Sequence, residues 1–330
     1  MPSPIETCPP EIIEHVVQHL SLPEIQNLRL GSRQLAALAT QDTFKSHFVN
    51  KNVRITEADL NAFVESSTQG GLGRLLENLT LTGVAIDLTR LQKAFEEGAL
   101  WVTWSNRPIS ALTQHKFTPE ELAKAEDDYF QLQRRLDNFV LLQETGVISN
   151  LLTQAFWNIA VHGKLRRLRS LTLDVAVLRD DAATETRPLN GGDWRIIWKT
   201  ASDCFEIAMT SLAGSKLHID KLDVFESTTR CSLGIDKLMH IETHSSDLTE
   251  SFQDLRSFSL SVSDRLLSEY ELEGTREELQ ALRMQQTNFE VLGRLTRLSP
   301  RLESLRLHWY NTFQQRVLEG NMEGVYTSNG

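Results

Sequence analysis

Leu168-Arg169-Ser170-Leu171-Thr172-Leu173 is the stretch that decides the fold, because its Leu-x-x-Leu-x-Leu spacing recurs along the chain. The last two leucines of the motif are two residues apart, which places both on one face of a β-strand. Each copy therefore predicts a strand, and residues 53–55 indicate one more strand before the series. Two further strict copies and two looser ones occur at Leu76/Leu79/Leu81, Leu302/Leu305/Leu307, Leu255/Phe258/Leu260 and Ile219/Leu222/Val224.

Helical segments separate these strands. Thr118-Pro119-Glu120-Glu121 is a capping box with proline at the first helical position, and it predicts a helical insertion near residues 118–160. Thr275-Arg276-Glu277-Glu278 is a second capping box, and its helix runs to Ser299-Pro300, just before the last leucine copy. Residues 179–194 are rich in Asp, Asn and Gly, which predicts a long exposed loop. The alternation of helices with strands predicts an α/β fold.

The order of helix, short turn and strand resembles a leucine-rich-repeat solenoid. The copies are widely spaced, since Leu222 to Leu260 is 38 residues and Leu81 to Leu173 is 92. Repeats of this family usually take about 20–29 residues. The resemblance therefore implies an irregular solenoid over residues 49–330, in which short parallel strands alternate with helices.

The amino-terminal segment predicts short helices whose apolar residues lie on more faces than so small a module can bury by itself. Pro9-Pro10-Glu11 is a helix start, because proline and an acidic residue both favour the first turn. The apolar residues that follow cover a broad arc of that helix. They are Ile12, Ile13, Val16, Val17 and Leu20.

Two more short helices follow. Ser21-Leu22-Pro23-Glu24 is a capping box for the second helix, and Gly31 ends it. Ser32 can cap a third helix, after which Phe44 packs. Three short helices cannot bury a sufficient core alone, so their apolar faces require the rest of the chain or a partner.

Residues 5–48 resemble an F-box of the type common in fungal proteins. The resemblance rests on residues 8–13, 20–25, 28–30 and 32–35, and it sets a domain boundary after residue 48. It implies that residues 1–48 bind a Skp-type adaptor and, through it, a cullin. The positions that would face the adaptor are Pro9, Pro10, Ile12, Val16, Leu20, Leu28, Leu30 and Leu35.

Two positions depart from the F-box pattern. Cys8 stands where leucine is usual, and Gly31 stands where valine is usual. Gly31 would cost about 0.5–1 kcal/mol within a helix. The alternative for this segment is a helical cap on the solenoid without a docking role.

Composition and charge narrow the classes of function. The chain of 330 residues has a formal net charge of -10, which argues against nucleic acid and against an anionic membrane surface. Its beginning lacks the features of a secretory signal. Cys8, Cys204 and Cys231 are widely separated, which favours a reducing compartment, the cytoplasm or the nucleus.

No motif in the sequence makes a case for catalysis, a cofactor or a metal site. Gly70-Gly71-Leu72-Gly73 lacks the lysine of a phosphate loop, so a flexible turn is predicted there. His240 and His244 are one helical turn apart, but zinc needs further ligands.

The resemblances together predict a non-catalytic substrate-recognition subunit of a ubiquitin ligase, whose protein target the sequence does not identify. The runner-up is an interaction scaffold without a role in ubiquitination. A third class is an enzyme whose site assembles beyond residue 92 without a readable motif.

Overall fold

A computed structural model describes residues 4–102, 113–179, 181–188, 194–238, 245–263, 290–291, 293–294, 297–310 and 324–327. Thr275-Arg276-Glu277-Glu278, His240 and His244 lie outside these described residues.

Helices and strands alternate through the described chain, as the α/β class predicts. The helices are α1 (Pro10–Val17), α2 (Leu22–Gly31), α3 (Arg33–Leu38), α4 (Asp42–Ser46), α5 (Glu57–Ser67), α6 (Thr89–Glu97), α7 (Pro119–Glu144), α8 (Val147–His162), α9 (Trp194–Ser215) and α10 (Ser245–Phe252). Short 3-10 helices span Pro4–Thr7, Leu72–Leu75 and Ile235–Leu238. The strands are β1 (Asn50–Arg54), β2 (Asn78–Ile86), β3 (Ala99–Val102), β4 (Thr113–Lys116), β5 (Arg167–Leu168), β6 (Ser170–Leu178), β7 (Glu185–Thr186), β8 (His218–Ile219), β9 (Lys221–Val224), β10 (Leu233–Gly234), β11 (Ser257–Ser263), β12 (Ser304–Tyr310) and β13 (Gly324–Thr327).

The main sheet follows the order β1-β2-β6-β9-β11-β12-β13, and the pairs from β1 to β12 along this path are parallel. The short β7 and the final β13 pair antiparallel with β6 and β12. Every copy of the leucine motif contributes to this sheet, which confirms the predicted strands. The middle positions of the copies form one row across it, made of Leu79, Leu171, Leu222, Phe258 and Leu305.

The two faces of the sheet differ in chemistry because side chains alternate along a strand. The leucine face is covered by α5, α8, α9 and α10, and their apolar residues join it in the largest core cluster. The opposite face is polar over most of the sheet and apolar at the carboxyl ends of β2 and β6, where Val84, Ile86 and Leu178 lie. Its residues aligned across the strands are Thr80, Thr172, Asp223, Ser259 and Arg306.

Helix α7 lies at the carboxyl ends of β2 and β6. Its capping box forms as predicted, because the Thr118 amide donates to Glu121 Oε2 at 2.8 Å and Thr118 Oγ1 accepts from the Glu121 amide. Ile86 and Leu178, the last residues of the two strands, share a second core cluster with Ala125 and Leu132 of α7. No residue of α7 after Leu132 is buried.

The amino-terminal module, residues 4–48, has a core of its own, made by Ile13, Val17, Ile25, Ala39 and Phe44. It contains four α-helices rather than the predicted three. The additional helix, α4, is five residues long, too short for any periodicity. It is held because Phe44 is buried and because Glu14 of α1 accepts a hydrogen bond from the Thr43 amide at 2.8 Å.

The prediction of an exposed loop at residues 179–194 holds only in part, since Ala183, Thr184, Glu185 and Arg187 are exposed whereas other described residues of the segment are buried. Glu185 and Thr186 pair with the end of β6, and Ala182 is 8% exposed. Arg179, only 5% exposed, donates to Thr186 Oγ1 at 2.6 Å, which holds the segment against the sheet. Helix α9 then begins at Trp194.

The glycine-rich turn before β2 is also more constrained than predicted. Residues Leu72–Leu75 form a 3-10 helix, and Gly73 is buried. A Cβ atom at Gly71 or Gly73 would collide with the backbone of Ser66 at the end of α5. The glycines therefore permit a close backbone approach rather than flexibility.

Candidate functional site

Helix α1 presents two apolar sides. Ile13 and Val17 are 1% and 0% exposed and pack into the core of the amino-terminal module. Ile12 and Val16 are 53% and 40% exposed, and they lie one turn apart on the adjacent side of the helix, about 100° from the buried pair. Exposed apolar side chains at helical spacing form a surface that a partner can cover.

The other predicted docking positions fall into three environments. Pro9 and Pro10 are exposed at the start of α1, and Leu30 near the end of α2 is 84% exposed. Leu20 and Leu28 are half-buried and pack against the core of the module.

Leu35 differs from the rest of the predicted set, since it is 7% exposed and lies inside the module. Of the predicted set, the structure thus brings Ile12 and Val16 together on one open helix face and places Leu35 in the interior.

The two departures from the F-box pattern occupy tolerant positions. Gly31 is the last residue of α2 and is exposed, and a Cβ atom there would contact only Leu35 Cδ1, at 3.4 Å. Cys8 is half-buried and packs against the core of the module, so a small apolar side chain suits it. Gly31 ends a helix rather than interrupting one, which reduces its entropic cost.

Two observations on the described residues concern thiol reactivity and metal binding. Burial raises the pKa of both the Cys204 and the Cys231 thiols, so neither is poised as a thiolate nucleophile. Within the described ranges, no group of three or more His, Cys, Asp or Glu side chains could hold a metal ion. No described helix combines the length and the apolar character that crossing a bilayer requires.

Large exposed apolar side chains of the described chain cluster in two places. The first is the amino-terminal module, with Ile5, Ile12, Val16 and Leu30. The second is the pair of helices α7 and α8. Its exposed members are Phe130, Val140, Leu141, Trp157 and Val161.

Sequence reasoning missed the second cluster, although a signal was present. The predicted stripe of α7 contains Leu132, Leu136 and Phe139 at three-to-four spacing. Phe130 and Leu141 fall on a different side of the helix, nearly half a turn from that stripe. Apolar residues off the packed stripe are candidates for contact with a partner.

Two cavities flank the carboxyl-terminal half of α7 and share walls formed by Val84, Ile86, Leu136 and Phe139. The smaller has a volume of about 390 Å³ and reaches the start of α5. The larger, about 640 Å³, lies between α7, the end of β2 and the first turns of α9. Both volumes fall in the range of about 300–1,000 Å³ that is usual for binding sites.

The described lining of the smaller cavity carries two cations, Arg54 and Arg135, and three carboxylates, Glu57, Asp59 and Glu185. Arg54 Nε lies 2.7 Å from Asp59 Oδ2, and its Nη1 lies 3.0 Å from Glu185 Oε1. The hydrogen bonds that Arg54 donates to the Asp59 and Glu185 carboxylates raise the pKa of Arg54, which therefore stays charged. Partial burial works to raise the pKa of Asp59, but the hydrogen bonds from Arg54 and Thr56 outweigh it and lower that pKa. These pairs tie β1 and α5 to β7.

Neither a scan against protein-family models nor a search of curated proteins finds a match for this chain.

Proposed function

We propose that this chain is the substrate-recognition subunit of a Skp–cullin–F-box ubiquitin ligase. The amino-terminal module, as an F-box, would bind a Skp-type adaptor and, through it, a cullin. The observation that carries the proposal is the open apolar side of α1, where Ile12 and Val16 are exposed beside the buried Ile13 and Val17. A partner that covers this side gains the free energy of burying both side chains.

The region after residue 48 would hold the target protein as an irregular leucine-rich-repeat solenoid. The rows of leucines in register across the parallel strands support this assignment. The subunit would act by proximity, because holding a target beside a ubiquitin-loaded enzyme raises the effective concentration of its acceptor lysine. Such a ligase would work in the cytoplasm or the nucleus.

The test is adaptor retention by the parent chain and by an Ile12→Asp/Val16→Asp variant after co-expression. Both positions are exposed in the free chain, so the variant should fold. Burying two unpaired charges costs several kcal/mol, so we expect at least about a tenfold loss of adaptor affinity. Circular dichroism verifies that the module remains folded.

The matched control is Ser46→Asp/His47→Asp, which also adds two acidic groups at exposed positions of the amino-terminal module, but outside α1. It should retain the adaptor. If the parent chain retains no adaptor, the ligase proposal fails and an interaction scaffold becomes the better assignment. If both variants lose it equally, the docking surface is not this side of α1.

A further inference from the structure

The larger cavity beside α7 has an apolar interior that continues onto the protein surface. Val84, Ile86 and Phe139 are among its apolar walls, and Val140 and Leu141 line it while being 39% and 57% exposed. A small molecule would fill the interior and leave this outer apolar surface in water. An extended chain segment can cover both parts.

The charge around this cavity is unbalanced. Among the described residues of its lining, Asp137, Glu144 and Asp203 contribute three carboxylates and Lys199 one ammonium, which gives an excess of two negative charges. Lys199 Nζ already lies 3.1 Å from Asp203 Oδ2. The carboxylates of Asp137 and Glu144 have no basic partner among the described residues, and Asp137 accepts a hydrogen bond only from the neutral Gln133 amide, at 2.8 Å.

The direction of α7 adds to this negative potential. Glu144 is the last residue of the helix, and its last turn contains no basic side chain. The carboxyl end of a helix carries about half a negative charge, which a nearby cation normally offsets. A basic group of a ligand, placed beside Glu144, would supply the missing cation.

We propose that this cavity binds a segment of the target protein in which a large apolar side chain is flanked by lysine or arginine. The apolar side chain would enter between Ile86, Phe139 and Leu141, and the basic flanks would meet Asp137 and Glu144. This inference rests on the proposed function, since it gives the class of target that the recognition subunit selects.

The probe is a fluorescein-labelled peptide with a Leu-Trp-Leu centre and two lysines at each end, titrated with the full chain and followed by fluorescence anisotropy. The matched peptide carries glutamates in place of the lysines. We expect the lysine peptide to bind at least about tenfold more tightly than the glutamate peptide, because charge complementarity with Asp137 and Glu144 governs the selectivity of the site. Added salt should reduce this difference.

Charge reversal on the protein locates the site. The Asp137→Lys/Glu144→Lys variant should lose at least about tenfold in affinity for the lysine peptide. The matched control, Glu126→Lys/Asp127→Lys, makes the same charge change on exposed residues of the same helix that do not line the cavity. Asp127 accepts a hydrogen bond from Gln131, as Asp137 does from Gln133, so the control also loses a local contact.

A third variant, Leu141→Ser, removes an apolar wall without changing charge and should weaken binding of both peptides. The proposal is overturned if the parent does not bind the lysine peptide, or if both charge reversals weaken binding equally. Full competition by N-acetyl-tryptophanamide at the peptide's own concentration would assign the cavity to a small apolar molecule. Sedimentation velocity tests whether the parent chain associates with itself. Self-association that the Asp137→Lys/Glu144→Lys substitutions abolish would assign the cavity to a second copy of the chain.

The two proposals fail separately. The Ile12→Asp/Val16→Asp variant should still bind the peptide, and the Asp137→Lys/Glu144→Lys variant should still retain the adaptor. If the parent chain retains the adaptor but does not distinguish the lysine peptide from the glutamate peptide, only the proposed class of target is overturned. Absence of the adaptor with intact peptide selectivity overturns the ligase function alone.

Discussion

The Oε1 atom of Glu226 lies 3.0 Å from the Nε2 atom of His308, and this contact joins the turn after β9 to strand β12. Strand β11 runs between them, and its Ser259 also hydrogen-bonds to Glu226. Arg306 Nη1 is 3.5 Å from the same carboxylate oxygen. One carboxylate thus links three neighbouring parts of the sheet on its polar face.

We expect Glu226→Gln to lower the free energy of unfolding at neutral pH by about 1.5 kcal/mol, since hydrogen bonds to a charged group are lost. Partial burial works to raise the pKa of Glu226, but the hydrogen bonds from Ser259 and His308 outweigh it and hold that pKa below 4.5. A carboxylate with a depressed pKa stabilises the fold above its unfolded-state pKa and loses this contribution as the pH falls through the folded-state pKa. The difference between parent and variant should therefore shrink as the pH drops below 4.5.

Urea denaturation at neutral and acidic pH measures this difference. The control is Glu303→Gln, because Glu303 is an exposed residue whose carboxylate lies 3.4 Å from Arg256, and such surface pairs contribute little. A difference between Glu226→Gln and the parent that stays constant into acid would contradict the assigned role.

Asp223 and Asp254 should respond in opposite directions to replacement by asparagine. Burial raises the pKa of Asp223, so its ionised form destabilises the fold at neutral pH, and this penalty fades as the pH falls. A hydrogen bond from His218 lowers the pKa of Asp254, so its ionised form stabilises the fold above its unfolded-state pKa. The Glu226 amide donates to Asp223 Oδ1 at 3.0 Å, and an asparagine at this position keeps an oxygen that can accept the same hydrogen bond.

Thermal unfolding at neutral pH should thus show a higher Tm for Asp223→Asn and a lower Tm for Asp254→Asn than for the parent. The two substitutions change net charge equally, so each serves as the control for the other. Shifts of the same sign would show that overall charge, rather than local environment, governs both.

Gly73→Ala should destabilise the fold by about 1–3 kcal/mol, because an added Cβ atom must displace packed backbone. The obstacle is the backbone of Ser66, whose position is fixed at the end of α5. Gly70→Ala is the control within the same turn, since a Cβ atom there meets nothing within 4 Å. Chemical denaturation of both variants measures the effect, and equal stabilities would disprove the close packing.

Much of the sheet was predictable because its information is local. The spacing of Leu171 and Leu173 fixes which face of β6 is buried, and every copy of the motif repeats that constraint. The capping box at Thr118 likewise depends on residues within one helical turn. Helix α4 and strand β7 were not predictable, since each is very short and is held by a contact outside its own segment, with Glu14 and with Val177 respectively.

The candidate sites divide in the same way. The broad apolar arc of α1 could be read from the sequence, and Ile12 and Val16 indeed face outward. The interior position of Leu35 and the cavity beside Phe139 depend on how helices settle against one another, which no local pattern encodes. The adaptor and the target therefore stay predictions that binding measurements must decide.

The order of strands in the main sheet is also their order along the chain. Loss of β12 and β13 would remove only one neighbour of β11, whereas loss of β9 would separate β6 from β11 and divide the sheet. Truncations and insertions should consequently be tolerated at the carboxyl-terminal end of the sheet and not at its centre.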